Sequence, residues 1–592
     1  ARAIVEGRAV VLVTCSMHPA EVGSGQMAPV LAFDLATSSA PEMVEIRDNV
    51  VLILIPSLNP DGLDLVHGWY ESTLGTSAEG TWPPSITHKY AGGENSYDWS
   101  TLTQAEMRGL ITRIYNEWFP HVTLDMHQFE PDGFRVAIPP SSDPIDPDLD
   151  PIITAQASRI GTAILARMVA AGLSGVALQV YPDVHSPDRN YALYHGGVYL
   201  LVETASCAIA TPVQVDMKAP YMTDGFDPRV KFAHHPLPWP GGEWSLADII
   251  RYDREVVLGC LIDVARHRQD FLSNFYHAQR RTIERFQGQV FVIRPDQADP
   301  VSTAELLEIL ATGRVEIFRA QEPFDADGIA CPAGSYIIPL AQPFGLYAHA
   351  ILEPRDYPLI TPRVGDAPRL PRGFEGYCLP LMIGVKATRI RGIVGTSRLQ
   401  KMSKVSYPTG KVLGGPSSVY LLSPVTNAAI RAINSLLESG ARVHRASAAF
   451  MTAEGEWPAG TFVVSGVDHD ALITVASRTH TMWQAAMEKP GVPLHHVRMP
   501  RIGIYKSYMT GFGVCDEGWL RFVLDQYGFP YDTLHNQDIR SGTLSERYDV
   551  VIFPQQFPRD IVLGHDPSRF AGASPLTGSG EFEIRDDAGL ES

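Results

Sequence analysis

Residues Val10–Gly25 read VVLVTCSMHPAEVGSG, and the interpretation of this stretch decides the fold. Val10 to Thr14 is a largely β-branched run that predicts a buried strand. The run breaks at His18-Pro19-Ala20-Glu21, and a helical pattern follows to Thr37. A strand-to-helix junction of this kind holds an imidazole on the loop and a carboxylate on the first helical turn, both facing one point at the carboxyl edge of a sheet. An imidazole and a carboxylate are two of the three protein ligands in a zinc site of the His2Glu type, which keeps one coordination position for water.

Outward from this stretch, residues 1 to about 270 alternate strand and helix signals. Strands are expected at Val10–Thr14, Val50–Pro56, His121–His127, Phe134–Ile138 and Gly197–Glu203, and helices at Glu21–Thr37, Thr103–Trp118, Pro151–Ala171 and Leu246–Arg268. That rhythm predicts an α/β domain with a parallel or mixed sheet. Gly62–Trp99 lacks periodicity and reads as a long functional loop. Asn59-Pro60-Asp61-Gly62, just before it, reads as a tight turn.

Residues 271–500 carry an internal repeat. VFVIRP (from Val290), a helix, VEIF (from Val315) and CPAGSYIIPL recur as VYLLSP (from Val419), a helix, ARVHRA (from Ala441) and WPAGTFVVSG. Two small α/β units, 271–400 and 401–500, are expected, with a scaffold role because neither holds a cluster of titratable groups. From Arg501 a strand (RIGIY), a helix over Asp516–Tyr527 opened by an Asp cap, and a second strand (in YDVVIFP) begin a partial flavodoxin-like domain over 501–565. The polar tail 566–592 is expected to be disordered. The chain is read as truncated at both ends, which favours a secreted or periplasmic location if a signal peptide has been lost.

Composition narrows the function. The chain has 592 residues, a net charge of −18 and 45% hydrophobic residues, too long for one core and ordinary for globular protein. No basic stripe argues for nucleic acid, and no apolar run argues for a membrane span. The six cysteines form no CxxC pair and suggest neither a disulfide framework nor a thiolate cluster. Cys15 and Cys207 read as buried small hydrophobes, and Cys515 as a helix-start residue. The pairs His234-His235 and His495-His496 read as solvated loop residues.

A third metal ligand is available in HVTLDMH (His121–His127). Strand alternation puts Thr123, Asp125 and His127 on one face. His127 suits a ligand at the strand end, and Asp125 a partner that fixes its tautomer. Glu203 ends the apolar strand VYLLVE, where an unpaired carboxylate is costly. Beside a metal-bound water it would act as general base.

The ordered set HPAE (His18–Glu21), IPSLNPDG (Ile55–Gly62), LDMHQ (Leu124–Gln128) and LLVETAS (Leu200–Ser206) resembles the zinc carboxypeptidases similar to carboxypeptidase A, over about residues 1–270. The resemblance implies a mixed, twisted, eight-stranded sheet flanked by helices. It also implies one zinc ion on His18, Glu21 and His127, with Glu203 as the catalytic base and a peptide or peptide-like amide as substrate. The full length resembles a bacterial subgroup in which such a domain precedes a glutamine-amidotransferase-like domain.

One departure stands out. The family's Asn-Arg pair, whose guanidinium grips a substrate's terminal carboxylate, is replaced by Ser96 and Tyr97, and no arginine occurs between Gly62 and Trp99. His88, Lys89, Arg135 and Arg189 are the candidate sources of positive charge. Tyr181 precedes Glu203 by about the interval at which the family places a substrate-binding tyrosine. Tyr181, Ser96, Tyr97 and Arg135 are therefore the candidate substrate-binding residues. Without the clamp, the alternatives are hydrolysis of an internal or acylated amide, or a non-catalytic binding protein on the same fold.

Overall fold

A computed structural model describes residues 2–83, 87–92, 95–181, 190–218, 220, 226–354, 361, 378–392, 398–506 and 515–555. Arg189 and the expected tail 566–592 lie outside the described residues.

The Val10 run forms β1 (Ala9–Cys15), whose seven residues are all buried. β2 (Val50–Ile55), β3 (Val122–Phe129), β4 (Val136–Ile138), β5 (Val176–Leu178) and β6 (Val198–Ala205) complete a sheet of order β2-β1-β3-β6-β4-β5. All pairings are parallel except β4 with β6, so the sheet is mixed. The resemblance implied eight strands, whereas this sheet has six among the described residues, and the strands Val213–Val215 and Gly242–Trp244 form a separate pair. β5 is too short to register as a periodic run.

Helices α1 (Val22–Thr37), α2 (Pro60–Thr73), α3 (Pro151–Ala170) and α4 (Leu246–Arg266) belong to the same region. α4 packs between α1 and α3, and its start is fixed by a capping box between Ser245 and Asp248. The expected helix over Thr103–Trp118 is realised from Ala105 with a π-helical turn at Leu110–Tyr115.

α2 corrects the reading of Gly62–Trp99 as a loop and of Asn59–Gly62 as a turn. Asn59 Oδ1 accepts from the Gly62 N–H at 3.0 Å, and Pro60 takes the first helical position, where its missing N–H costs nothing. His235 is another correction: it is buried, with its ring nitrogens 2.8 and 3.0 Å from the carbonyls of Val176 and Pro228. His495 and His496 are exposed, on the strand Leu494–Val497 rather than a loop. Cys15 and Cys207 are buried.

The two repeat units share one strand order. In the first it is Ala387–Arg391, Gln289–Ile293, Tyr336–Pro339, Phe318–Ala320, Leu399–Lys401. In the second it is Met482–Ala486, Val419–Leu422, Phe462–Ser465, Arg442–Ala446, Leu494–Val497, with Lys411–Leu413 added outside Met482–Ala486. Each inserts a small hairpin, Phe324–Cys331 and Phe450–Trp457, at the matching point. After Arg501, Ile502–Tyr505 lies between Tyr531–Leu534 and Val550–Ile552 in a parallel sheet. The helix here begins at Cys515, which places Asp516 in its first turn instead of at its cap.

Candidate metal centre

His18 and Glu21 sit on the junction that follows β1. The turn is shaped by Ser16, held at a positive φ of 46°. The Ser16 hydroxyl donates to the Glu21 carbonyl at 3.2 Å, and the Ser16 N–H donates to Ser24 Oγ at 3.2 Å. Such a backbone angle in a non-glycine residue is sustained only where neighbouring contacts enforce it. Gly25 follows because a Cβ there would lie 2.5 Å from Ser16 Oγ. Glu21 occupies the N-cap position of α1 but makes no cap hydrogen bond with its side chain.

That carboxylate faces two imidazoles. Glu21 Oε1 lies 2.7 Å from His18 Nδ1, and Oε2 lies 3.2 Å from His127 Nδ1. The two Nδ1 atoms are 3.4 Å apart, with the rings edge to face. All three side chains are buried, and their donor atoms fall within 4.8 Å of one another. The structure thus brings together the three residues that the sequence proposed as ligands.

Behind His127, Asp125 Oδ2 lies 3.2 Å from Nε2. Asp125 also accepts from Thr14 Oγ1 and from the Tyr199 hydroxyl, both at 2.7 Å. Burial alone would raise the Asp125 pKa, but His127 and these hydrogen bonds outweigh it and hold the carboxyl at about 2. Burial would likewise suppress the charge on His127, yet Asp125 and Glu21 overcome it and raise the imidazole to about 10. Glu21 is held below its usual value, the two imidazoles outweighing burial. Two carboxylates set around buried imidazoles make a site whose charge suits a cation.

The donor set fits a zinc ion on the same grounds. Two nitrogen lone pairs and a carboxylate converge, and Glu21 Oε2 lacks a hydrogen-bond partner of good geometry. His127 Nε2 is also without one despite its closeness to Asp125. Glu203 is buried and stands opposite His127 in the β3–β6 register, so alternation places it on the same face. Thr14 and Tyr199, which hold Asp125, were missed by the sequence reading. Alternation could have put both on that face, Thr14 on β1 and Tyr199 four residues before Glu203 on β6.

The candidate substrate-binding residues fall differently. Arg135 is fully buried, its guanidinium 4.1 and 4.8 Å from the rings of Trp239 and Trp244, and Nη2 donates to the carbonyls of Pro131 and Gly133. It is held by aromatic stacking and loop carbonyls. Ser96 is buried and Tyr97 half-buried, beside Asp98, which caps the following turn by accepting from the Gln104 N–H at 2.7 Å. Tyr181 packs half-buried against the Phe134 and Phe226 cluster. His88 pairs with Glu106 at 2.7 Å and Lys89 with Asp525 at 3.3 Å.

A pocket of mixed character is lined in part by Ser141, Asp143, Ile145, Leu149, Asn190, Tyr199 and Leu201. Leu201 lies two residues before Glu203 on the same face of β6, and Tyr199 is bonded to Asp125.

A family model for zinc carboxypeptidases, Peptidase_M14, matches residues 3–87. No curated protein matches the chain. Among solved structures, a metallo-carboxypeptidase from Pseudomonas aeruginosa in complex with (2-guanidinoethylmercapto)succinic acid is 15% identical, over 45% of this chain and 58% of that one, with a TM-score of 0.30. A metallo-carboxypeptidase from Burkholderia cenocepacia is 16% identical over 45% and 58%, with a TM-score of 0.27. Carboxypeptidase A from Helicoverpa armigera is 14% identical over 45% and 62%, with a TM-score of 0.25. This chain therefore spans less than two thirds of the length of each of these three structures, all of them carboxypeptidases.

Proposed function

We propose that the chain is a zinc-dependent amide hydrolase of the carboxypeptidase type, with His18, Glu21 and His127 as metal ligands and Glu203 as general base. The observation that carries this reading is the meeting of three buried donors from two segments 109 residues apart. When bound, zinc would polarise the scissile carbonyl and lower the pKa of a water molecule. Asp125, 3.2 Å from Nε2, would favour the His127 proton there and leave the Nδ1 lone pair for the metal. Glu203 accepts a proton at its carboxylate and returns it to the leaving nitrogen. The pocket lined by Leu201 and Tyr199, of mixed polar and apolar character, receives a substrate side chain.

The first choice of substrate is a peptide with a free C-terminal carboxylate. A second reading, hydrolysis of an internal or acylated amide, is favoured by one observation: Tyr97 stands where the clamp arginine is expected, while Arg135, His88 and Lys89 are already paired or stacked. No helix among the described residues is long and apolar enough to cross a membrane. The repeat units are assigned a scaffold role.

Elemental analysis is expected to find one zinc ion per chain, lost in His18→Ala. Glu203→Gln should keep the metal and lose at least about 10² in turnover. A free-carboxylate peptide should be cut faster than its amidated twin. The reverse preference moves the assignment to the second reading, and a wild-type chain that binds no zinc overturns both.

A further inference from the structure

We infer that Gln128, beside the ligand His127 but on the opposite face of β3, is a positioning residue that sets the separation of Glu21 from His127. The inference rests on the metal-centre reading above. A helix N-terminus leaves N–H groups unsatisfied, and the N-cap side chain normally accepts from one of them. Here the N-cap residue is Glu21, whose carboxylate is turned away toward His18 and His127. The vacated duty falls to Gln128: its Oε1 accepts from the Gly23 N–H at 2.7 Å, across 105 residues of sequence.

The other end of the same amide is also anchored. Gln128 Nε2 donates to Ser206 Oγ at 3.3 Å, and the Ser206 N–H donates to the Phe129 carbonyl at 2.8 Å. Ser206 follows β6, the strand that carries Glu203. One side chain therefore ties the helix end bearing Glu21, the strand end bearing His127 and the strand bearing Glu203. Its immediate surroundings are closely packed. A Cβ on Gly23 would lie 2.9 Å from Gln128 Oε1 and 2.2 Å from Ile249 Cγ2, so only glycine lets α1 approach this closely. Next to Gln128 in the register, Thr204 donates to Asp253 of α4 at 2.6 Å. This polar layer lies on the opposite face of β3 from His127. Its effect is on where the ligands stand, the level at which outer partners tune a metal site.

The test uses the full chain with zinc, and with cobalt(II) as a spectroscopic substitute. Gln128→Met keeps the length of the side chain and removes both hydrogen bonds. Zinc affinity, measured by competition with a chelating dye, is expected to fall about 10- to 100-fold, with altered cobalt absorption, and this loss should exceed the loss of metal-free stability caused by the unsatisfied Gly23 N–H. Ser206→Ala removes only the anchor and should produce a smaller loss in the same direction. It keeps the test open if Gln128→Met fails to fold. Unchanged affinity and cobalt spectrum in both variants overturn the inference while leaving the metal centre standing. So does a loss of affinity no larger than the accompanying loss of metal-free stability, which would make Gln128 a helix cap and nothing more. A wild-type chain that binds neither ion overturns the metal-centre reading itself, and this inference with it.

Discussion

Asp253 carries a carboxylate into the apolar layer between α4 and the sheet. One oxygen accepts from Thr204 Oγ1, and the other has no hydrogen-bond partner. Burial, with a smaller contribution from the negative charge of Glu21, raises its pKa to about 7. The unfolded group titrates near 3.8. The folded state therefore holds a proton that the unfolded state has released between these values, and stability falls as pH rises from about 4 to 7. Asp253→Asn, which removes the titration, should gain on wild type across that interval and level off above it. The limit is on the order of 4 kcal/mol for a shift of this size. Thermal unfolding of both metal-free proteins between pH 4 and 8 checks this, and a stability difference that is flat with pH sinks it. At this scale Asp125 and His127 were readable in advance, because a strand period of two puts them on one face. The Gln128 contact was not, because its partner Gly23 is near only in three dimensions.

The start of α2 shows what a local signal can and cannot say. Asn59-Pro60 is a turn opener in isolation, and the same pair is a helix N-cap followed by a favoured first-turn proline. The choice is made by packing: Gly62 lies against Pro19 and the Thr87 carbonyl so closely that a Cβ there would lie 2.4 and 2.5 Å from them, and Asn59 Nδ2 donates to Thr87 at 3.2 Å. Asn59→Ala should destabilise the protein by about 1 kcal/mol, the usual loss for an N-cap. Asn59→Asp keeps the acceptor for Gly62 but sets a carboxylate oxygen against the Thr87 carbonyl, so it should recover only part of it. Urea midpoints at constant m-value are the measurement, and equal midpoints for Asn59→Ala and wild type would show that the cap contributes nothing. β1, β2 and β6 were legible as largely apolar runs, and β3 by its alternation of apolar and polar residues. β5, with three residues, carries too few positions to show a period.

Across the whole molecule, the expected boundary near residue 270 does not separate two cores. The cluster that contains β1 and β3 continues through Phe291, Leu306, Leu310 and Tyr347 of the first repeat unit. Asn116 Nδ2 donates to the Thr312 carbonyl at 2.7 Å and the Tyr347 hydroxyl to the Ser100 carbonyl at 3.4 Å, so this unit braces the segment that holds Ser96 and Tyr97. The helix Cys515–Tyr527 approaches the 87–92 turn from the other end of the chain. The Tyr90 hydroxyl donates to Asp525 at 2.8 Å, and a Cβ on Gly518 would lie 2.0 Å from the Tyr90 carbonyl oxygen. Gly518→Ala should therefore push this helix off the turn. Deuterium uptake is expected to rise over residues 87–92 and 515–527 while zinc binding is retained. Unchanged uptake in both segments would show that the contact does not hold them.

By itself the sequence determined the alternation of strands and helices in the first 270 residues and the internal repeat, and it singled out His18, Glu21 and His127 as candidate ligands with Asp125 and Glu203 beside them. These are properties of residue type and short-range period, which a chain carries before it folds. Only the tertiary structure decided that His18, Glu21 and His127 meet, that Arg135 is held against two tryptophans, and that Gln128 caps a helix it does not belong to. Each of those depends on which distant backbone lies a few ångströms away, and close packing of the assembled layers sets that distance.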